Sequence, residues 1–136
     1  MSVSDNALPL LGKTASASTI VDESSTACAV HSGALPIFAT PMMIALMECA
    51  ACKCLSDGLA PGQTSVGTRI SVEHTAASPI GTSITANATI EAICGRRVEF
   101  AVTARAGDRE IGQGRHTRLI VDVDRFMAKV NANKEV

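Results

Sequence analysis

The run "TPMMIALMECAACKCL", residues 40–55, decides the fold of this 136-residue chain. Thr is a favoured helix N-cap and Pro is at home in the first helical turn, so a helix is predicted to open at Thr40 and Pro41. Gly58, Pro61 and Gly62 end it, after about four turns of 3.6 residues. Met42, Met43, Ala45, Leu46, Met47 and Ala50 make it apolar on nearly every face, the pattern of a helix meant for burial. Glu48 breaks that pattern. A carboxylate in such a helix needs a partner or a use.

Downstream the period changes from helical to two. "QTSVGTRISVEHTA" reads as a strand with Val66, Thr68, Ile70 and Val72 on one face. "TSITANATIEAIC" alternates Ile84, Ala86, Ala88, Ile90 and Ala92 against polar residues, and "RVEFAVTARA" alternates Val98, Phe100, Val102 and Ala104. "CGRR" and "GDRE" are the turns between them, and "IGQGRHTRLIVDV" is a last long strand. Upstream, "STIVDESSTACAV" (Ser18 to Val30) reads as a first strand and "HSGALPIFA" as a loop. Residues 1–17 read as a loose segment, 18–130 as one domain, and 131–136 as a tail following a short, frayed helix. Short turns and one apolar face require an antiparallel sheet. The long apolar helix is the element able to cover it. The expectation is an α+β domain, a five-stranded antiparallel sheet wrapped around one long central helix.

Composition narrows the function. Net charge is −1, with no basic tract, which argues against nucleic acid. No apolar run reaches the ~20 residues of a membrane span. The start, "MSVSDNALPLLGK", lacks a basic n-region and a long apolar stretch, so a cytoplasmic location is expected. Charged residues are 18% of the chain, below the usual quarter, which suits a surface partly hidden in an oligomer. The five cysteines are odd in number and no second Cys/His pair follows Cys49 and Cys52 at zinc-finger spacing. They are read as buried thiols, with no metal site or cofactor expected.

Three segments, "FATPMMIALMECA", "GQTSVGTRISVEHTAASPIG" and "GQGRHTRLIV", together resemble the fluoroacetyl-CoA-thioesterase-like family of the hot dog fold. The resemblance runs from about Ser18 to Phe126. Its specificity lies in the A-T-P helix start, a Glu eight residues on and a V-x-H whose His is 26 residues beyond that Glu. The family implies a homodimer, or a higher homo-oligomer, that hydrolyses acyl-CoA thioesters. It implies Thr40, Glu48 and His74 as the catalytic set, with Gly67 and Arg118 at the oxyanion or substrate. The fluoroacetyl-specific enzyme carries aromatic gate residues in the loop before the helix. Here that loop is "HSGALPI", so fluoroacetyl selectivity is not expected.

Thioester hydrolysis needs a nucleophile, a proton shuttle and oxyanion donors. His74 suits the shuttle, since an imidazole titrates near neutral pH. Pairing with His74 would explain Glu48. Thr40 could cap the helix, attack the thioester or hold a water, and backbone N–H groups at the helix start or at Gly67 could bind the oxyanion. Taken singly, Thr40 is a cap, Glu48 a solvated helix residue, His74 a surface histidine and Gly67 a strand irregularity. Only their joint spacing points to chemistry. His31 falls in the loop and His116 on the strand face of Arg118, with no role assigned to either. Arg96, Arg97, Arg105 and Arg109 flank turns and read as solvated. Met42, Met43 and Met47 with "SGALPIF" suggest an adaptable apolar pocket for a small or medium acyl group. A non-catalytic acyl-CoA-binding or ligand-sensing domain is the alternative. A hydratase fits less well, because the helix carries no His.

Overall fold

A computed structural model describes residues 10–133. The sheet is built from β1 (Thr14–Ile20), β2 (Gln63–His74), β3 (Ser83–Cys94), β4 (Arg97–Ala106) and β5 (Arg109–Asp122). Its spatial order is β1-β3-β4-β5-β2, with every neighbouring pair antiparallel. Helix α1 (Thr40–Leu55) packs on one face of the sheet, and a terminal helix α2 (Val123–Ala132) follows β5. The expected α+β architecture of five strands around one helix is present. The two tight turns follow from sequence: Gly95 and Gly107 both sit at φ +62°, the left-handed conformation that two-residue hairpin loops require.

The core forms where α1 meets the sheet. Met43, Met47, Ala50 and Cys54 face Ile84, Ala86, Ala88, Ile90, Val98, Phe100, Val102 and Ala104, all buried. The alternation seen in the sequence therefore holds along β3 and β4, with one break. Ala92 is exposed, because the ladder pairs Ile90 with Phe100 and Ala92 with Glu99. Glu91 is thus an extra residue, and a bulge of this kind shifts the side chains beyond it.

Three other expectations need correction. The first strand is Thr14–Ile20, not Ser18 to Val30. Polar Asp22 caps a short 3₁₀ turn at Glu23–Ser25 instead, a favoured role for Asp because its side chain accepts from backbone N–H groups. Residues 14–17, expected to be loose, are therefore in the sheet; residues 1–9 and 134–136 lie outside the described residues. The cysteines are mostly not buried: only Cys54 is, whereas Cys28, Cys49, Cys52 and Cys94 are exposed. For Cys49 and Cys52 the reason is that α1 buries one face only, leaving Pro41, Ala45, Cys49 and Cys52 toward solvent; Cys28 lies in a turn and Cys94 is the last residue of β3.

β2 is an edge strand with a bulge of its own. Gly67 pairs with Arg118 and Arg69 with Thr117, leaving Thr68 as the additional residue. The alternation expected for Val66, Thr68, Ile70 and Val72 is broken there. No residue of β2 is fully buried.

Candidate active site

The start of α1 is held from both sides. Phe38 N–H donates to Ser78 O at 2.8 Å and Ala39 N–H to Ser25 O at 2.9 Å. Phe38 and Ala39 are buried, so the position of residue 40 is fixed by its neighbours. The N-cap is Ala39, without a side-chain cap, and Thr40 is the first helical residue. Its hydroxyl is therefore free of the capping task. It lies instead 2.8 Å from His74 Nδ1. The imidazole packs edge-on to Phe38, with ring centroids 6.4 Å apart. Its Nε2 is buried and has no partner among the described residues. Burial lowers the pKa of His74 below 6.5, opposed by the Ala76 backbone, so the ring is neutral at physiological pH. A neutral Nδ1 can accept the proton of Thr40 or of a water that Thr40 holds.

A cavity of about 350 Å³ opens beside this pair, near the lower end of ligand-pocket sizes. Its walls are mostly small or aliphatic, with Ala27, Gly33, Ala34, Leu35, Ala76 and Ala77 joined by the Phe38 ring. The loop "SGALPIF" does line it, but Met42, Met43 and Met47 do not. Met43 and Met47 are committed to the core. His31, at φ 63°, is also not part of the lining.

Glu48 is elsewhere. Its Oε2 accepts from Arg118 Nη1 at 3.0 Å and lies 3.6 Å from His116 Nε2. The expected pairing with His74 does not form within the chain. Glu48 sits over Gly67, where a Cβ would stand 2.5 Å from its Oε2. His74 is seven residues further along β2, about 23 Å at the usual strand rise. Thr40 and Glu48 are eight residues apart on α1, about 12 Å. Side-chain reach does not close those gaps.

Arg118 is buried, and all three of its guanidinium nitrogens are engaged. Nε donates to Ser65 Oγ at 2.8 Å, Nη2 to Ser65 O at 3.1 Å, and Nη1 to Glu48. In this chain it holds Glu48 rather than presenting a free cation to a substrate. The helix start also has fewer oxyanion donors than its position suggests. Pro41 has no N–H, and those of Met42 and Met43 both go to Ala39 O. Of the first four helical residues only Thr40 can present an N–H outward. Sequence reasoning missed His116, which is buried beside Arg118.

A five-stranded antiparallel sheet wrapped around one long helix is the hot dog architecture, and known proteins of that fold give its class as thioesterase. The model for "Fluoroacetyl-CoA-specific thioesterase" matches residues 21–124. The fluoroacetyl-CoA thioesterase of Streptantibioticus cattleyicolor is 43% identical over 94 residues, covering 69% of this chain and 68% of that one. A variant of the fluoroacetyl-CoA-specific thioesterase FlK, solved with fluoroacetate and CoA, superposes with a TM-score of 0.80 at 34% identity, covering 85% and 98% of the two chains. A Thermus thermophilus thioesterase superfamily member gives 0.85 at 28% identity over 92% and 93%. The chain belongs to the fluoroacetyl-CoA-specific thioesterase family, and as an enzyme it is a thioester hydrolase. No helix among the described residues is long and apolar enough to cross a membrane.

Proposed function

We propose that this protein hydrolyses small or medium acyl-CoA thioesters without restriction to fluoroacetyl, in sites shared by two copies of the chain. The observation that carries this reading is the separation of Glu48 from His74 along β2. β2 is a free sheet edge, and an unpaired edge is a template for another strand. Antiparallel pairing of two β2 strands about a two-fold axis between Ile70 and Ser71 sets His74 opposite the partner's Gly67. The partner's Glu48 and Arg118 then approach the Thr40–His74 pair. The closed symmetry of a dimer gives two such sites.

In each site His74 takes a proton from Thr40 Oγ or from a water held by it. That oxygen attacks the thioester carbonyl carbon. The oxyanion is met by the Thr40 N–H, at the helix end where negative charge is favoured, and by backbone at the partner's Gly67. The C–S bond then breaks and the CoA thiolate leaves. If Thr40 attacks, an acyl-Thr40 ester forms and water cleaves it; if water attacks, no acyl-enzyme accumulates. The cavity receives the acyl group, and Ala34 and Leu35 stand where an aromatic gate would be expected. Acyl-CoA hydrolysis and four exposed free thiols fit a reducing cytoplasm.

The test is thiol release across an acyl-CoA panel, with an enzyme-only control for the protein's own thiols. Acetyl-CoA and longer esters should turn over alongside fluoroacetyl-CoA, and His74→Ala should lose about 10²-fold or more. CoA-ester binding without turnover would make this a binding domain instead.

A further inference from the structure

We propose that His116 is a positioning residue, which aims Arg118 at Glu48 by accepting a hydrogen bond on Nε2. The ring is 2% exposed. Its Nδ1 is 2.7 Å from Arg69 O. A carbonyl only accepts, so Nδ1 carries the proton. Its Nε2 is 3.1 Å from Arg118 Nη1. A guanidinium only donates, so Nε2 carries a lone pair. Two independent contacts thus require the same neutral tautomer. Desolvation by burial supports neutrality by lowering the pKa, the Arg118 charge acts in the same direction, and the Arg69 carbonyl and Glu48 oppose it.

The arrangement has a consequence for Glu48. Nη1 has two acceptors, His116 Nε2 and Glu48 Oε2, at 3.1 and 3.0 Å. Ser65 fixes the other two nitrogens. The carboxylate and Nε2 lie 3.6 Å apart with no proton between them, so their link runs through the arginine. Phe100 stacks on the imidazole with centroids 6.0 Å apart, and the β2 bulge beside Thr68 supplies the Arg69 carbonyl. The bulge and the stacked ring set the histidine, the histidine sets the arginine, and the arginine sets Glu48. His116 touches no substrate in this scheme. Its catalytic effect rests on the shared-site reading of Glu48.

The variants are His116→Leu, which removes both contacts, and His116→Gln, whose amide oxygen can reach the place of Nε2. Both are assayed below their unfolding temperatures, with the best ester of the panel. Misplacing a catalytic group by about 1 Å costs about 10²-fold. His116→Leu should therefore lose about 10- to 10²-fold in kcat with KM within about 3-fold, and His116→Gln should recover most of it. A merely structural histidine would not show that split or that rescue. The arginine itself is read separately, through the ¹⁵N signal of Arg118 Nε. It should be sharp and slowly exchanging in wild type and His116→Gln, and averaged in His116→Leu. Absent turnover in wild type would refute the thioesterase reading, and the arginine signal would still decide the positioning claim. An unchanged signal, or an unchanged kcat, in folded His116→Leu would overturn it.

Discussion

Gly67 leaves the space that the Glu48 carboxylate occupies. A methyl group there would stand 2.5 Å from Glu48 Oε2, 3.2 Å from His116 Cε1 and 3.3 Å from Arg118 Nη1. The closest of these is the far end of a flexible side chain, so the fold can give way while the ion pair cannot. Gly67→Ala should stay folded, within about 1 kcal/mol of wild type, and lose at least about 10-fold in kcat. Urea unfolding beside acyl-CoA turnover separates the two effects.

Thr40→Val should do the same at the start of α1, beside the other end of β2. The hydroxyl does not cap α1, so the usual cost of about 1 kcal/mol for a lost N-cap is not expected. Losing the oxygen that faces His74 Nδ1 should cost about 10²-fold or more in kcat. A large drop in melting temperature would show that the hydroxyl serves the fold after all.

The pH dependence has a definite sign. His74 must be neutral to accept a proton, and its burial lowers its pKa below 6.5. The acid limb of kcat should therefore fall below pH 6.5. Stability should follow the same direction. His116 and His74 have lower pKa values in the folded state than in the unfolded chain. As pH falls through 6.5 the unfolded chain takes up protons that the native state does not, so stability present above that pH is lost. The slope from each histidine is at most about 1.4 kcal/mol per pH unit. Urea midpoints measured from pH 7.5 to 5 should decline, and less steeply in His116→Gln.

A native thiol titration should count four fast cysteines and one slow one. Cys28, Cys49, Cys52 and Cys94 are exposed. Cys54 is buried, with its pKa raised chiefly by desolvation, and its thiol donates to Ala88 O at 3.1 Å. The thiolate is the reactive form, so the fifth thiol should appear only on unfolding.

These outcomes also mark what a sequence can carry. The alternations of β3 and β4 are legible because each side chain needs only the residues two places away to declare its face. The helix is legible from Thr40, Pro41 and the apolar run. The bulges at Thr68 and Glu91 are not, since they are set by partners on other strands. The exposed face of α1 is equally hidden, because Ala45, Cys49 and Cys52 are small and apolar whether covered or not. Thr40 and His74 meet at 2.8 Å. Glu48 does not join them within the chain, because it is held over Gly67 by Arg118, a partner 70 residues away that spacing along the helix does not reveal. His116, between Arg115 and Thr117, gives no signal; its role depends on a carbonyl 47 residues away.

The central claim, a site shared across two copies, is tested most directly by mixing two dead enzymes. Glu48→Gln and His74→Ala protomers, co-expressed with different tags, form a heterodimer with one doubly damaged site and one intact site. Random pairing should restore about a quarter of wild-type turnover, since half the dimers are mixed and each mixed dimer has one of two sites whole. The purified heterodimer should reach about half. A mixture as inactive as either parent, with heterodimers present, would contradict the account.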